Sequence, residues 1–391
     1  MTAPRGRPAP RYPLVAFAAF FHLAGVMGTR PIVPLYATEL GIGPAEIGVL
    51  VAVFATLPLF LALRAGRWLD IYGSRPMLVT GTLFAGLGLA LPELAPGRVG
   101  LYASQVVTGS ASTLFVLAAQ RSVGTLSSEA WARERNVAVF SLGVALASLA
   151  GPIPAGFIAE RLGHGPAFLA LGAVTLLSLP VSLRLSADRP ATPAGGAQFP
   201  AGNPLRVLTY NPYMGRAFLI SSLILMAKDM YVAYFPLYAA SLGISAGAIG
   251  IIIGLHNGGG VVMRLVLLPM VEMFGKNRVV IVSILLGGLL FVALPFLDGI
   301  VLLTLASVGI GLALGLGQPL SISTTIALSP RDKLGEVLGV RLGFNRFTQA
   351  AVPLGFGGAV LVTGVAGLFV VVGVLLCLGA SRLHIPDEFS T

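Results

Sequence analysis

The sequence has few charged residues and a single cysteine. Only 10% of its 391 residues are charged, against roughly 25% in soluble domains, while 56% are hydrophobic. A soluble fold of this length cannot bury so much apolar surface, whereas a lipid bilayer removes the need to bury it. The lone Cys377 excludes an intrachain disulfide and any CxxC metal or redox motif.

Motifs of common enzyme and nucleotide sites are also missing. The chain has no HExxH, GxSxG or P-loop pattern and no histidine-rich cluster. We therefore predict that it is not an enzyme, that it needs no cofactor or metal, and that a gradient rather than ATP drives any transport. The net charge of +10 would suggest nucleic acid for a soluble protein, but here we interpret it as a topology signal.

Long apolar stretches are what the sequence does contain. A membrane-crossing helix needs about 20 mostly apolar residues, and this window predicts twelve spans. Spans 1 to 6 are 13–38, 45–67, 76–95, 99–122, 136–160 and 165–185, and spans 7 to 12 are 214–240, 246–271, 278–297, 300–327, 335–361 and 363–382. We predict an all-α polytopic membrane protein with an N-terminal half (1–185), a linker (186–213) and a C-terminal half (214–391).

Basic residues are concentrated on one side of this topology. They occupy the N-terminus, the linker and the loops of the same parity, whereas the opposite loops hold mainly acidic residues with Arg98 and Arg161. Cytoplasmic loops carry the excess of Lys and Arg in membrane proteins. The pattern predicts that both termini and the linker are cytoplasmic and that the protein lies in the cytoplasmic membrane.

The two halves repeat each other in sequence. Residues 34–48 read PLYATELGIGPAEIG and residues 236–250 read PLYAASLGISAGAIG, so nine of fifteen positions are identical at an offset of 202. The offset pairs span 1 with span 7 and span 2 with span 8. Parallel repeats of this kind are typical of transporters whose substrate site lies near the membrane midplane between the halves.

The loop after span 2 carries a recognisable motif. Gly66, Asp70, Gly73 and Arg75 match the loop 2–3 signature of the major facilitator superfamily, and the chain resembles that superfamily over nearly its whole length. The resemblance implies two six-helix halves, alternating access and a mostly monomeric state. It also implies that the loop latches the halves in the outward-open state, with Arg341 meeting Asp70 at an inner gate.

Span 5 carries a second motif. Gly151, Pro152 and Gly156 resemble the antiporter signature of the superfamily, with alanine at two of its glycine positions. The resemblance implies an exporter of the bacterial multidrug-efflux branch, although plain helix packing explains small residues equally well. Gln105 stands where many drug exporters have an arginine implicated in proton transfer, so the chain departs from that coupling scheme.

Several polar residues lie within the predicted spans, where they are costly and usually face a cavity or a partner. Asp229 is the candidate proton carrier, since a buried carboxylate can take up a proton and lose it when a cation approaches. The candidate substrate contacts are Arg30, Lys228, His256, Asn257, Asn345 and Arg346. A static ion pair is the alternative for Arg30 and Asp229, and ordinary core hydrogen bonding is the alternative for His256.

The leading hypothesis is a proton-coupled exporter that moves small amphipathic molecules, neutral or anionic because the charges within the membrane are mostly positive. The alternatives are an uptake symporter or an anion exchanger, both favoured by that basic centre, and a lipid or lipid-linked-sugar flippase. A non-transporting receptor or scaffold and a membrane-embedded enzyme are further alternatives that the motifs disfavour. We expect a small molecule, protons and the bilayer as partners, and no nucleic acid.

Overall fold

The computed structural model describes residues 12–125, 130–185, 204–330 and 334–383. Every regular element in these ranges is helical. In the first half, span 1 is Tyr12–Glu39, span 2 is Pro44–Tyr72, span 3 is Ser74–Leu94 and span 4 is Arg98–Thr125. Span 5 consists of Ala130–Ala150 and Pro152–Leu162, and span 6 of His164–Leu176 and Leu179–Arg184.

The second half has the same order of helices. It begins with a short 3-10 helix, Pro204–Thr209, and span 7 follows as Met214–Ser241. Span 8 consists of Ala246–Leu265 and Leu267–Phe274, span 9 of Lys276–Ala293 with the 3-10 turn Leu294–Phe296, and span 10 of Ile300–Gly315 and Gly317–Leu328. Spans 11 and 12 share one continuous stretch, Leu334–Ala380.

The count of twelve spans is confirmed. Ten described stretches are long and apolar enough to cross a membrane, and the beginning of span 2, Pro44–Leu57, is a shorter apolar helix. The last of the ten holds two spans, because Gly364 (φ 68°, ψ 174°) interrupts the helix within it. The predicted boundaries agree with the structure to within three residues, except that span 2 ends five residues later and span 5 begins six residues earlier than predicted. Most of the predicted linker, residues 186–203, lies outside the described residues.

Backbone turns repeat between the halves at the offset seen in the sequence. Gly41 and Gly243 both have positive φ (69° and 79°), as do Gly73 and Gly275 (78° and 79°). The amide of each glycine in the first pair donates to the carbonyl three residues earlier. Glycine is favoured at such left-handed positions because it has no Cβ. The repeat is therefore structural as well as sequential.

Helix packing follows the same symmetry. In the first half, a Cβ on Gly172 of span 6 would lie 2.9 Å from the carbonyl of Gly86 in span 3. In the second half, a Cβ on Gly288 of span 9 would lie 2.9 Å from the carbonyl of Gly373 in span 12. Small residues allow helices to approach closely in lipid. The chain therefore forms two six-helix halves that are related by pseudo-symmetry.

The halves meet along two seams. Seam 2–11 joins spans 2 and 11: a Cβ on Gly48 would collide with the carbonyl of Pro353, and a Cβ on Gly357 would lie 2.7 Å from that of Ala45. Both contacts are near the end of the bundle that holds the turns at Gly41 and Gly243, which we name the turn end. The opposite end, which holds the residues flanking segment 186–203, is the linker end.

Seam 5–8 is the symmetry mate of seam 2–11. A Cβ on Gly250 of span 8 would collide with the carbonyl of Pro152, and one on Gly156 would collide with that of Ala246. Gly151 keeps helical dihedrals (φ −61°, ψ −48°), so span 5 bends at Pro152, which lacks an amide hydrogen, without breaking. The two seams hold the halves in backbone contact at the turn end.

Candidate functional site

A charged recess lies where spans 1, 2, 4, 7 and 11 converge. Its volume is about 40 Å³, and it is lined by Arg30, Val51, Phe54, Ala55, Thr113, Asp229, Arg346 and Gln349. The rise of 1.5 Å per residue places Asp229 roughly midway along span 7 and Arg346 at a comparable depth in span 11. The structure therefore brings together three of the residues that the sequence singled out, from both halves of the chain.

Asp229 is the acidic group of this recess. Gln349 is hydrogen-bonded to its side chain, and Arg30, Lys228 and Arg346 are close enough to interact electrostatically with it. Arg346 donates from Nη1 to Oε1 of Gln349 at 3.0 Å. The Gln349 amide thus connects the acid with one of its cations. When a carboxylate in such a setting takes up or releases a proton, its hydrogen bonds to these neighbours change.

Arg30 is oriented by an aromatic ring. The central carbon of its guanidinium lies 4.6 Å from the centroid of the Phe54 ring on span 2, within the range of a cation–π contact. The side chain is only half-buried. The guanidinium plane can therefore present its donors to the recess while its charge is held in place by the ring.

Lys228 is exposed although it lies at mid-depth of span 7. It interacts electrostatically with Arg30, Asp229 and Arg264. An exposed cation in the middle of a span faces an aqueous cavity rather than lipid, because burying an unpaired charge in hydrocarbon is costly. Lys228 and the exposed Arg264, which lies nearer the linker end of span 8, thus add positive charge beside the recess.

His256 lies away from the recess, inside the second half. Its ring stacks on Tyr231 with 4.1 Å between centroids, and its Nδ1 is 2.9 Å from the carbonyl oxygen of Ser307. Only 4% of the residue is exposed. This arrangement corresponds to the core histidine that the sequence analysis kept as an alternative.

Asn345 and Arg341 share a second polar cluster within the second half. Asn345 accepts from Ser221 Oγ at 2.8 Å, and Arg341 donates from Nη2 to Ser221 Oγ at 3.0 Å. Arg341 also donates to Gln318 Oε1 at 3.2 Å and to Ser321 Oγ at 3.3 Å. Both residues therefore connect spans 7, 10 and 11 rather than line the recess.

Asn257 lies in seam 5–8. Its Nδ2 donates to the backbone carbonyl of Ser148 in span 5 at 2.9 Å. This hydrogen bond joins the two halves, so Asn257 contributes to the contact between them. A substrate role for it stays a prediction.

The loop 2–3 motif is only partly described. Gly73 has φ 78° between spans 2 and 3, as a tight turn requires, and Arg75 is exposed. The side chain of Asp70 and the packing around Gly66 lie outside the described residues. The predicted contact between Asp70 and Arg341 therefore stays a prediction.

The span 5 motif has two kinds of contact. Gly151 packs on span 1, where the carbonyl of Gly151 would lie 2.8 Å from a Cβ on Gly28. Pro152 and Gly156 form seam 5–8 with span 8. The motif thus places span 5 between its own half and the other one.

Sequence reasoning missed several residues of the site and its surroundings. Gln349 lies three residues after Arg346, a spacing that places both on one face of a helix, so the sequence held a signal for it. Gly48 and Gly250 are identical at the repeat offset, which was a signal for a shared contact. Phe54 and Thr113 had no distinguishing pattern. Among the described residues, no group of three or more His, Cys, Asp or Glu side chains is arranged to hold a metal ion.

The fold and the recess together define a class of protein. An α-helical membrane protein of two similar six-helix halves, with charged groups at mid-depth between them, has the architecture of a secondary transporter. The chain matches the family model of the Major Facilitator Superfamily over residues 15–353 and 217–388. It therefore belongs to that superfamily, as its motifs predicted, and it is a multi-pass membrane transporter rather than an enzyme.

Individual relatives are distant but cover most of the chain. An uncharacterized MFS-type transporter of Methanocaldococcus jannaschii is 22% identical over 390 residues, which is 94% of this chain and 98% of that protein. Multidrug resistance protein 2 of Bacillus subtilis is 23% identical over 368 residues, 89% of this chain and 91% of that protein. A crystal structure of a POT family transporter has a TM-score of 0.79 at 15% identity and covers 95% of each chain, which shows the fold alone.

Proposed function

We propose that the protein is a proton-coupled exporter of small amphipathic molecules, with the recess as its central site. The observation that carries the proposal is the position of Asp229, an acid among three cations between the halves. A secondary transporter needs one group whose occupancy by an ion changes how the substrate is held, and Asp229 is placed for that role. The similarity to a multidrug resistance protein supports export as the direction.

Alternating access follows from the two seams. The close backbone contacts at the turn end keep the recess separate from that side, while the exposed Lys228 and Arg264 lie on the route to the linker end. Rocking of one half against the other would part both seams and open the recess to the turn end. With the linker end in the cytoplasm, the state described here takes up substrate from the cytoplasm.

Proton coupling is tested with purified protein in liposomes that contain a pH-sensitive dye. An imposed pH gradient is challenged with anionic, neutral and cationic amphiphiles. We expect substrate-dependent proton movement in the wild type and its loss in Asp229→Asn. The matched control is Asp298→Asn, which changes an exposed acid near the turn end and should transport normally. Proton movement that persists in Asp229→Asn would remove Asp229 as the carrier.

The orientation is tested through the single native cysteine. Cys377→Ser provides a cysteine-free chain, into which one cysteine is placed at exposed Leu162 of the turn end or exposed Ile71 of the linker end. We expect a membrane-impermeant thiol reagent to label the Leu162→Cys variant in intact cells. Labelling of Ile71→Cys should require opened cells. The reverse pattern would overturn the cytoplasmic assignment of the linker end.

A second candidate is symport of an organic anion with protons. The observation that favours it is the excess of cations at the recess, where Arg30, Lys228 and Arg346 oppose one acid. Both candidates use the same recess and the same proton carrier. They differ in whether substrate and proton compete for the site or bind it together.

A further inference from the structure

The charge balance at the recess points to the chemistry of a ligand. Arg30, Lys228 and Arg346 carry three positive charges against the one negative charge of Asp229. Among the described residues, the other charged or titratable groups near this set are Arg264 and His256 of span 8. Both interact electrostatically with Lys228, although the His256 ring packs inside the second half. Span 4 contributes the neutral Thr113 to the lining, and the described lining residues of span 2, Val51, Phe54 and Ala55, are apolar.

The two arginines come from different halves of the protein. Arg30 belongs to span 1 and Arg346 to span 11, and both line the same recess. Their other contacts are the Phe54 ring and the neutral Gln349 amide. A planar carboxylate, sulfonate or phosphate oxygen set matches the donors of guanidinium groups. An anion seated between them would replace the role of Asp229 as their counter-charge.

The size of the recess limits what enters it. A volume of about 40 Å³ is room for about three water molecules, whereas pockets for whole drug-sized ligands are about 300 Å³ or more. A small charged group fits and a bulky apolar group does not. The rest of an amphipathic molecule would extend towards the linker end, past the exposed Lys228.

We propose that the protein binds organic anions by seating one anionic group between Arg30 and Arg346, in place of the charge on Asp229. The inference rests on the part of the proposed function that both candidates share, namely the recess as the substrate site and Asp229 as the proton carrier. A proton on Asp229 removes the competing negative charge, so proton and anion strengthen each other's binding. Ligands that bind together with the proton move in its direction, which assigns organic anions to the symport candidate.

The test is equilibrium binding by purified protein in nanodiscs of neutral lipid. The probes share one naphthalene group and carry a sulfonate, an alcohol or a trimethylammonium group. No probe therefore changes charge between the two pH values compared, about 5.5 and about 8. We expect the sulfonate to bind more tightly at the lower pH, by on the order of 5- to 150-fold, the usual range of coupling between two sites. In Asp229→Asn the sulfonate should bind tightly at both values.

Arginine variants test the seat itself. Arg30→Gln and Arg346→Gln should each weaken sulfonate binding by roughly 10- to 100-fold, as expected for the loss of charge-assisted hydrogen bonds, and should leave the alcohol unchanged. Arg278→Gln is the control, since Arg278 is exposed at the linker end of span 9. Alcohol binding by every variant shows that it is folded.

Three results would overturn the inference: sulfonate binding that is stronger at high pH, sulfonate binding that neither arginine variant affects, or preferential binding of the trimethylammonium probe. Any of these, together with proton movement in liposomes that depends on Asp229, would leave the proposed function standing without an anion seat. Tight, pH-dependent sulfonate binding without proton movement in liposomes would instead contradict the proposed coupling and keep the seat.

Discussion

The two seams between the halves have the same backbone geometry and different polar contacts. In each, a glycine of the repeat, Gly48 or Gly250, is packed against the carbonyl of a proline on the partner span. Seam 5–8 also has polar contacts between the halves. Glu160 accepts from the amide of Gly247 at 2.8 Å, and Asn257 donates to Ser148.

The equivalent positions in seam 2–11 are apolar. When Pro152 is aligned with Pro353, the two prolines of the seams, Glu160 corresponds to Leu361; the offset of 202 pairs Asn257 with Ala55. Close backbone approach is thus common to both copies, whereas the Glu160 and Asn257 contacts belong to seam 5–8; beside seam 2–11, Tyr234 of span 7 donates to the carbonyl of Pro44 at 3.4 Å. Apolar contacts weaken gradually as helices separate, but a hydrogen bond to a helix N-terminus is lost within the first ångströms. Closure at the turn end therefore depends on both seams. The polar contacts of seam 5–8 adjust the equilibrium between the closed and open states.

The largest expected effect comes from filling the seams. Gly48→Leu and Gly250→Leu should each lower the transport rate by roughly a hundredfold, because overpacking costs about 1–3 kcal/mol and about 1.4 kcal/mol is a factor of ten. Transport in liposomes measures the effect. Gly358→Leu is the control, since no atom lies within 4 Å of a Cβ at this exposed position of span 11. A loss confined to one of the two seams would show that they are not equivalent in packing.

A smaller effect is expected from Glu160→Gln. The carboxylate lies at the N-terminus of span 8, where a negative charge is stabilising. The population closed at the turn end should therefore fall modestly, by less than about tenfold. Spin labels on Leu162→Cys and Leu242→Cys, two exposed positions of opposite halves, measure the distance across the turn end in the Cys377→Ser chain.

The control for this comparison is Glu39→Gln. Glu39 lies 2.9 Å from His164 within the first half, so its substitution should leave the distance between the halves unchanged. Leu361→Glu is the converse variant, because it places an acid at the equivalent position of seam 2–11. Equal distance distributions for Glu160→Gln and the wild type would show that Glu160 does not affect the equilibrium between the closed and open states.

An effect of similar size is expected from Asn257→Ala. The variant loses one hydrogen bond between the halves, which contributes about 0.5–1.5 kcal/mol, and leaves the carbonyl of Ser148 without this donor. The same spin-label pair should show a modest gain of the open population, which adds to that of Glu160→Gln in the double variant, since the two residues share no partner. If Asn257→Ala instead weakened probe binding and left the distance unchanged, Asn257 would belong to the substrate site.

Sequence and structure differ in what they reveal about the polar residues within the spans. The sequence indicates the depth of a residue in the membrane, and the structure gives the direction of its side chain. The rise per residue of a helix placed Arg30, Asp229, His256 and Arg346 at similar depths from their sequence positions alone. Depth does not say which way a side chain points, because helix rotation is decided by packing against neighbours. His256 therefore turned out to stack on Tyr231 inside the second half, while Asp229 and Arg346 met in the recess.

The sequence by itself determined the number of spans, their order and the repeat. Each crossing of a bilayer needs about 20 apolar residues, so the spans are visible as apolar stretches. The repeated turns need glycine, which has no side chain, so the repeat is visible in the glycine positions. Only the tertiary structure decided which polar groups share the recess and which form the seams. The pairings between the halves join residues far apart in the chain, such as Arg30 with Asp229, Asn257 with Ser148 or Glu160 with Gly247. They depend on how rigid helices rotate and pack against one another.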